Sequence, residues 1–254
     1  MLTILSPSKT LDLSTPNQIV KTTKPQFEKE TNQLIRVLKK MKPSEIQDLM
    51  KISDKLLDEV MPMIKDFDKT YPEENSLPSI FMFKGDVYAG LEGRSLDQAS
   101  LEFANDHLRI LSGQYGVLRP FDLMQPYRLE MGTTLETKQG SNLYDFWGDK
   151  ITRAINSDLK DLNSDVLLNL ASNEYFKSLN SKKLKARVID VDFKEERDGK
   201  LKFISVFAKK ARGLMARFVM DEKIEKPEHL KAFDLDGYVY NEEGSKEDSL
   251  LFVR

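Results

Sequence analysis

The residues best equipped for chemistry are packed into one stretch, Leu111-Ser112-Gly113-Gln114-Tyr115-Gly116-Val117-Leu118-Arg119-Pro120, which continues through Phe121 to Gly132. An apolar segment there runs into Ser-Gly, and such strand-to-loop transitions are where α/β proteins place ligands. Gly113 and Gly116 permit unusual backbone angles and close approach. Arg119 and Arg128 can grip a carboxylate or phosphate with paired N–H donors. Tyr115 and Tyr127 can stack on a base or donate a hydrogen bond. The plainer alternative is a structural turn held by ion pairs, Arg128 with Glu130 or Arg119 with Asp122. The glycine spacing matches neither a Walker loop nor a Rossmann fingerprint, so it does not by itself imply a nucleotide.

Two further stretches are expected to meet the first. Lys84-Gly85-Asp86-Val87-Tyr88 follows an apolar run, as a site loop would. Asn169-Leu170-Ala171-Ser172-Asn173-Glu174-Tyr175-Phe176-Lys177 ends another apolar run and opens a helix capped by Ser172 or Asn173. Lys9 follows the first apolar run. Lys84, Asp86, Ser112, Tyr115 and Glu174 are the acid–base candidates, should burial shift their pKa values. Lys9, Lys84, Arg119, Tyr127, Arg128 and Lys177 are the phosphate-binding candidates. Taken singly, each is better explained as a structural feature than as a functional one. His107 and His229 belong to no nucleophile–His–acid set. The carboxylates Asp86, Asp122, Glu130 and Glu174 have no spacing that calls for a metal, so no metal and no cofactor is expected.

Composition narrows the classes. With no Cys, the chain is not a disulfide scaffold, a Cys-ligated zinc or iron–sulfur protein, or a thiol enzyme. No stretch approaches the roughly 18 apolar residues of a membrane span, and no basic region precedes an apolar one at the start. The expected location is the cytoplasm. The net charge of -2 argues against a polycation but hides a gradient. Thirteen of the 39 basic residues and only six of the 41 acidic ones fall in 172–217, making that segment +7 and the remainder -9. A basic surface on an acidic body follows, unless these are ordinary solvated faces. Its core is Ala208-Lys209-Lys210-Ala211-Arg212-Gly213-Leu214-Met215-Ala216-Arg217, where a helix puts Lys209, Arg212 and Arg217 roughly on one side.

The elements that must hold these residues read as follows. Leu2 to Leu5 is a short buried strand, and 11–25 an extended surface connection. An apolar stripe from Leu34 to Met41 is a helix stopped by Pro43. A second helix starts at Pro43 and a third at Ser53 or Asp54, where Pro62 is expected to bend or interrupt it. Ser79 to Phe83 and Leu108 to Leu111 read as strands, and Leu96 to Asn105 and Leu143 to Leu162 as single helices. Val166 to Leu170 is a strand central in a sheet. Ala186 to Phe193 and Leu201 to Phe207 flank Asp198-Gly199, a strong hairpin signal. Ala208 to Met220 is a helix, and Tyr238 to Tyr240 with Leu250 to Val253 a closing hairpin. The predicted class is α+β: a mixed sheet with surrounding helices and C-terminal antiparallel hairpins, in one domain spanning 1–254.

At these residues the chain resembles the YaaA family of bacterial peroxide-stress proteins. The resemblance rests on Ile4-Leu5-Ser6-Pro7-Ser8-Lys9-Thr10-Leu11, Phe83-Lys84-Gly85-Asp86-Val87-Tyr88-Ala89-Gly90-Leu91 and the whole 111–132 stretch. Leu143-Tyr144-Asp145-Phe146-Trp147-Gly148-Asp149, the 169–177 stretch and Ala208 to Met215 complete it. It implies a YaaA-type fold and protection against hydrogen peroxide through limiting free intracellular iron. It also implies DNA binding through a basic cleft and a helix-hairpin-helix element, and attaches no reaction. The best match to that element is Pro43 to Lys55, where Lys51, Ser53 and Lys55 surround the turn and Ser53 stands where the motif prefers Gly.

Two functions are therefore in view. The first is an oxidative-stress protein that binds DNA without sequence specificity, using the residues above together with Lys209, Lys210, Arg212 and Arg217. The alternative is an enzyme acting on a nucleotide or DNA base in a pocket formed by the 84–88, 112–130 and 169–177 loops. The two differ in geometry, because the enzyme requires its candidates to line one concave pocket.

Overall fold

The computed structural model describes residues 1–254. Strand β1 (Leu2–Leu5) is buried at all four residues and leads through β2 (Thr10–Leu11) into a polar connection. Three helices follow, α1 (Glu28–Leu38), α2 (Pro43–Met50) and α3 (Asp54–Lys65). Helix α1 turns Thr31, Leu34, Ile35 and Leu38 inward, one stripe at helical spacing. Pro43 opens α2 in its first turn, where a missing N–H costs no helical bond.

The middle of the chain holds β3 (Leu77–Pro78), α4 (Ser79–Met82), β4 (Phe83–Lys84), α5 (Asp86–Leu91) and α6 (Gln98–His107). Then come β5 (Leu108–Ser112), β6 (Gly116–Leu118), β7 (Leu123–Met124), α7 (Leu143–Trp147) and α8 (Lys150–Asp161). The last part contains β8 (Val166–Asn169), α9 (Asn173–Phe176), β9 (Arg187–Arg197), β10 (Lys200–Lys202), α10 (Ser205–Asp221), β11 (Val239–Tyr240) and β12 (Ser249–Val253).

Eight strands make one sheet in the order β11-β12-β9-β8-β1-β5-β6, with β10 beside β9. The inner five, β12, β9, β8, β1 and β5, are parallel, and β6, β10 and β11 are antiparallel additions. The fold is thus α+β, a mixed sheet with helices around it. The parallel centre explains why β1 and β8 read as unbroken apolar runs: both of their faces are covered. A single cluster of 61 buried side chains joins the sheet to its helices. The two C-terminal hairpins are present. Asp198 and Gly199 both adopt positive φ (56 and 69), as the two-residue hairpin turn requires.

Ile4 stands opposite Asn169, and Asn169 opposite Asp190. The ends of β1 and β8 and the outer half of β9 therefore leave the same edge of the sheet. Strand β1 is also where the strand order divides, with β5 on one side and β8 on the other. Open parallel sheets form crevices at such a point.

Several expectations are corrected. Ser79 to Phe83 is helix α4 followed by β4, not a strand. Pro78 precedes it, and the N–H groups of Ser79 and Ile80 go to the carbonyls of Asp122 and Pro120, partners far along the chain. Leu143 to Leu162 is two helices, broken where Gly148 takes φ 47, ψ -123. The segment after Asp198-Gly199 is strand only to Lys202, and α10 starts at Ser205 rather than Ala208. Pro62 does not interrupt α3, which runs on to Lys65. Pro62 and Asp58 are both exposed, so water can take the carbonyl that the missing N–H leaves free. The turn between α2 and α3 has its left-handed residue at Lys51 (φ 51, ψ 53), whereas Ser53 is extended and precedes α3 as its N-cap residue. The position suited to glycine is thus Lys51, two residues before the one expected.

Candidate functional site

A cleft of about 510 Å³ opens at the edge where β1 and β8 end. Its inner wall is Ser6-Pro7-Ser8 after β1 and Leu170 to Ser172 after β8. These two turns are tied together: Ser172 N–H donates to Ser6 Oγ at 2.8 Å, and Ser6 Oγ lies 3.3 Å from Ser172 Oγ. Tyr88 OH donates to the Ser6 carbonyl at 3.0 Å, fixing α5 against the same turn. Gly85 (φ +109) begins that side, and a Cβ there would stand 2.7 Å from Ser8 Oγ. Only glycine combines this backbone angle with this approach.

The floor is aromatic. Tyr127 meets Phe83 and Tyr115 edge-on, and its hydroxyl accepts from Ser112 Oγ at 2.7 Å. Burial pushes the phenols of Tyr88, Tyr115, Tyr127 and Tyr175 upward from the ordinary value of 10.0. A phenol raised on folding stabilises the fold fully below its unfolded value, and that contribution is lost as pH rises through the folded value. The melting temperature is therefore expected to hold to about pH 10 and fall steeply above it. Tyr127→Phe should melt about 3 °C lower at pH 8, having lost one buried hydrogen bond. It should then lose less between pH 9 and 11 than the parent chain.

The outer wall is the first turns of α10, pressed on α5. Gly90 and Gly213 make that contact: a Cβ on Gly213 would lie 1.7 Å from the Val87 carbonyl oxygen, and one on Gly90 2.2 Å from that of Lys210. This approach carries Lys209 and Arg212 into the cleft opposite Arg128. The guanidinium of Arg212 is largely withdrawn from water, and its Nε is buried without a hydrogen-bond partner. Desolvation lowers its pKa, partly offset by Asp192 and Asp190. Arg128 and Lys209 face the same space and have no carboxylate within ion-pair distance. Lys9 is bonded to Glu130 at 2.6 Å, and Glu174 Oε1 accepts from Gly132 N–H at 2.9 Å, so two of the cleft's three carboxylates are already engaged. Asp86 is the third. A side chamber of about 330 Å³ continues past Lys9, Arg128, Glu130 and Glu174 to Lys51, at the turn between α2 and α3.

Lys9, Asp86, Tyr127, Arg128, Glu174, Lys209 and Arg212 thus share one cleft, and Lys51 lies beside it. The other candidates stand elsewhere. Ser112 and Tyr115 are buried behind the floor, where Ser112 Oγ accepts from Tyr115 N–H and Tyr115 OH accepts from Gln125 N–H. Lys84 is exposed and lies 3.7 Å from Asp12. Arg119 lies 3.4 Å from Asp158, which also holds the buried Arg109 at 2.7 Å. Lys210 reaches Asp236, and Arg217 binds Asp221 and Ser95. Lys177 is exposed outside the cleft, and neither Ser53 nor Lys55 lines it. The +7 segment is accordingly not one surface. Lys182, Lys183 and Lys185 line a separate groove along α8, and Arg187 is paired with Asp248. Ser6 and Ser8 also line the cleft, and their signal in the sequence is the Ser-Pro-Ser that ends the first apolar run.

No helix is long and apolar enough to cross a membrane. The family described as peroxide stress protein YaaA matches residues 1–244. A UPF0246 protein of Aliivibrio fischeri is 48% identical over 254 residues, covering 100% of this chain and 98% of its own. A UPF0246 protein of Saccharophagus degradans is also 48% identical over 254 residues, covering 99% of its own length.

Proposed function

The chain belongs to the peroxide stress protein YaaA family, and from that premise we propose that it acts under peroxide stress by holding DNA through its backbone phosphates in the cleft, without sequence preference. The observation that carries this reading is Arg212. A largely desolvated guanidinium with an unpartnered Nε lacks an acceptor, and a phosphate oxygen supplies one. Arg128 and Lys209 stand ready for neighbouring phosphates. Backbone contacts of this kind position a duplex and carry no sequence information. In this reading iron enters as the source of the damage to the DNA that the protein limits.

The alternative, an enzyme acting on a nucleotide or base, keeps Asp86, Tyr127, Arg128 and Glu174 in the cleft. It loses Lys84, Ser112, Tyr115 and Arg119 to other surroundings, so its support is weaker. The test is a salt titration of binding to duplexes of unrelated sequence. About three neutralised phosphates give a log–log slope near -3, the same for every sequence. A slope near zero, or no binding at low salt, overturns the reading.

A further inference from the structure

The chain exposes six large apolar side chains, and three of them, Leu201, Phe203 and Val206, fall within six residues. They sit on the β9–β10 hairpin and the first turn of α10. Strand β9 stays bonded to the β12 side as far as Glu196, whose N–H donates to the Arg254 carbonyl at 2.7 Å, and beyond that only β10 accompanies it. The hairpin therefore projects from the sheet edge at which the cleft opens. Its stem is clamped. Glu195 is 7% exposed, takes both its oxygens to Arg254 Nε at 3.0 Å, and accepts from Tyr238 OH at 2.6 Å. Arg254 and Arg197 lie over the Phe207 ring.

Register gives the hairpin two faces. Lys200 is opposite Arg197 and Lys202 opposite Glu195, so the three cations share one face. Leu201 is opposite Glu196 on the other face, and Phe203 continues the Leu201 side. A rigid stem that exposes apolar side chains on one face and cations on the other costs solubility if it meets only water. Arg197 and Lys200 have no carboxylate within ion-pair distance and complement a phosphate backbone, whereas Lys202 lies 3.7 Å from Asp198; Lys209, on the turn of α10 after Val206, already lines the cleft. Minor-groove and architectural DNA-binding proteins frequently insert apolar side chains such as Phe and Leu as wedges between base steps.

We propose that the β9–β10 hairpin is such a wedge, with Phe203 and Leu201 entering a base step of the duplex held in the cleft. The inference rests on the DNA reading above. The test uses the full chain and duplexes carrying 2-aminopurine at successive positions. The parent chain should raise 2-aminopurine fluorescence at one or more positions as it unstacks the step. Leu201→Ser with Phe203→Ser should abolish that rise and weaken binding about tenfold, while leaving the salt slope unchanged. Phe203→Trp should keep the rise. All variants should melt with the parent, because the replaced side chains are exposed. Binding by the parent without any fluorescence rise, or with an equal rise in the double serine variant, overturns the wedge and leaves the cleft reading standing. No binding by the parent overturns both.

Discussion

Arg128→Glu combined with Arg212→Gln should lower duplex affinity by about a hundredfold or more at moderate salt. A charge-assisted hydrogen bond contributes roughly 1.5–3 kcal/mol, so losing two removes about 3–6 kcal/mol, and each 1.4 kcal/mol is tenfold. The log–log salt slope should become shallower by about two, one for each phosphate released. Lys177→Glu provides the contrast. Its side chain is exposed and outside the cleft, so affinity should change less than about threefold. Gel shifts and fluorescence anisotropy across a salt series check both variants. Equal losses for Arg128/Arg212 and Lys177 would mean that only overall charge matters and that the cleft is not the site.

Gly213→Ala should lower the melting temperature by about 10 °C. The added Cβ would meet the Val87 carbonyl oxygen at 1.7 Å, and a backbone atom cannot rotate away as a side chain can. Helices α5 and α10 must separate, and overpacking of this kind costs about 3 kcal/mol or more. A chain of this size loses roughly 2–4 °C per kcal/mol. The same displacement moves Lys209 and Arg212 away from Arg128, so surviving protein should bind DNA more weakly. Alanine is otherwise the better helix former, so a neutral or stabilising result would show that the helices do not touch as described. Differential scanning fluorimetry with the anisotropy assay separates the two effects.

How far the sequence can be read depends on whether a signal is local. Strands β1 and β8 are continuous apolar runs, and the hairpin at Asp198-Gly199 needs only its two turn residues. These are visible one segment at a time. Helix α4 is not, because the bonds that decide it go to Asp122 and Pro120. The break at Gly148 is hidden because apolar residues continue on both sides of it.

The site divides along the same line. Lys9 and Glu174 reach the cleft on the loops after β1 and β8, as strand ends in a parallel sheet should, while Asp86 and Arg128 come in from segments outside that sheet. Several of the cations that fall outside have partners remote in sequence: Asp158 for Arg119, Asp236 for Lys210 and Ser95 for Arg217. A basic run on a helix shows which residues are charged, not which charges are already spoken for. Lys209 and Arg212 remain turned to the cleft while Lys210 and Arg217, on the same helix, are consumed in internal pairs.

The central place of β1 in the sheet also governs how the chain can fold. Leu2 is bonded into a ladder opposite Leu167, and Thr3 opposite Leu108. Contacts this distant raise the contact order and slow folding, since long loops must close before any pairing is gained. During synthesis at about 5–20 residues per second, the first strand emerges on the order of ten seconds or more before β8 exists to receive it. The apolar run that later forms the inner wall of the cleft is thus, for that interval, an unpaired strand. The cleft is consequently one of the last features completed, assembled only when the start of the chain is enclosed by residues translated more than halfway along it.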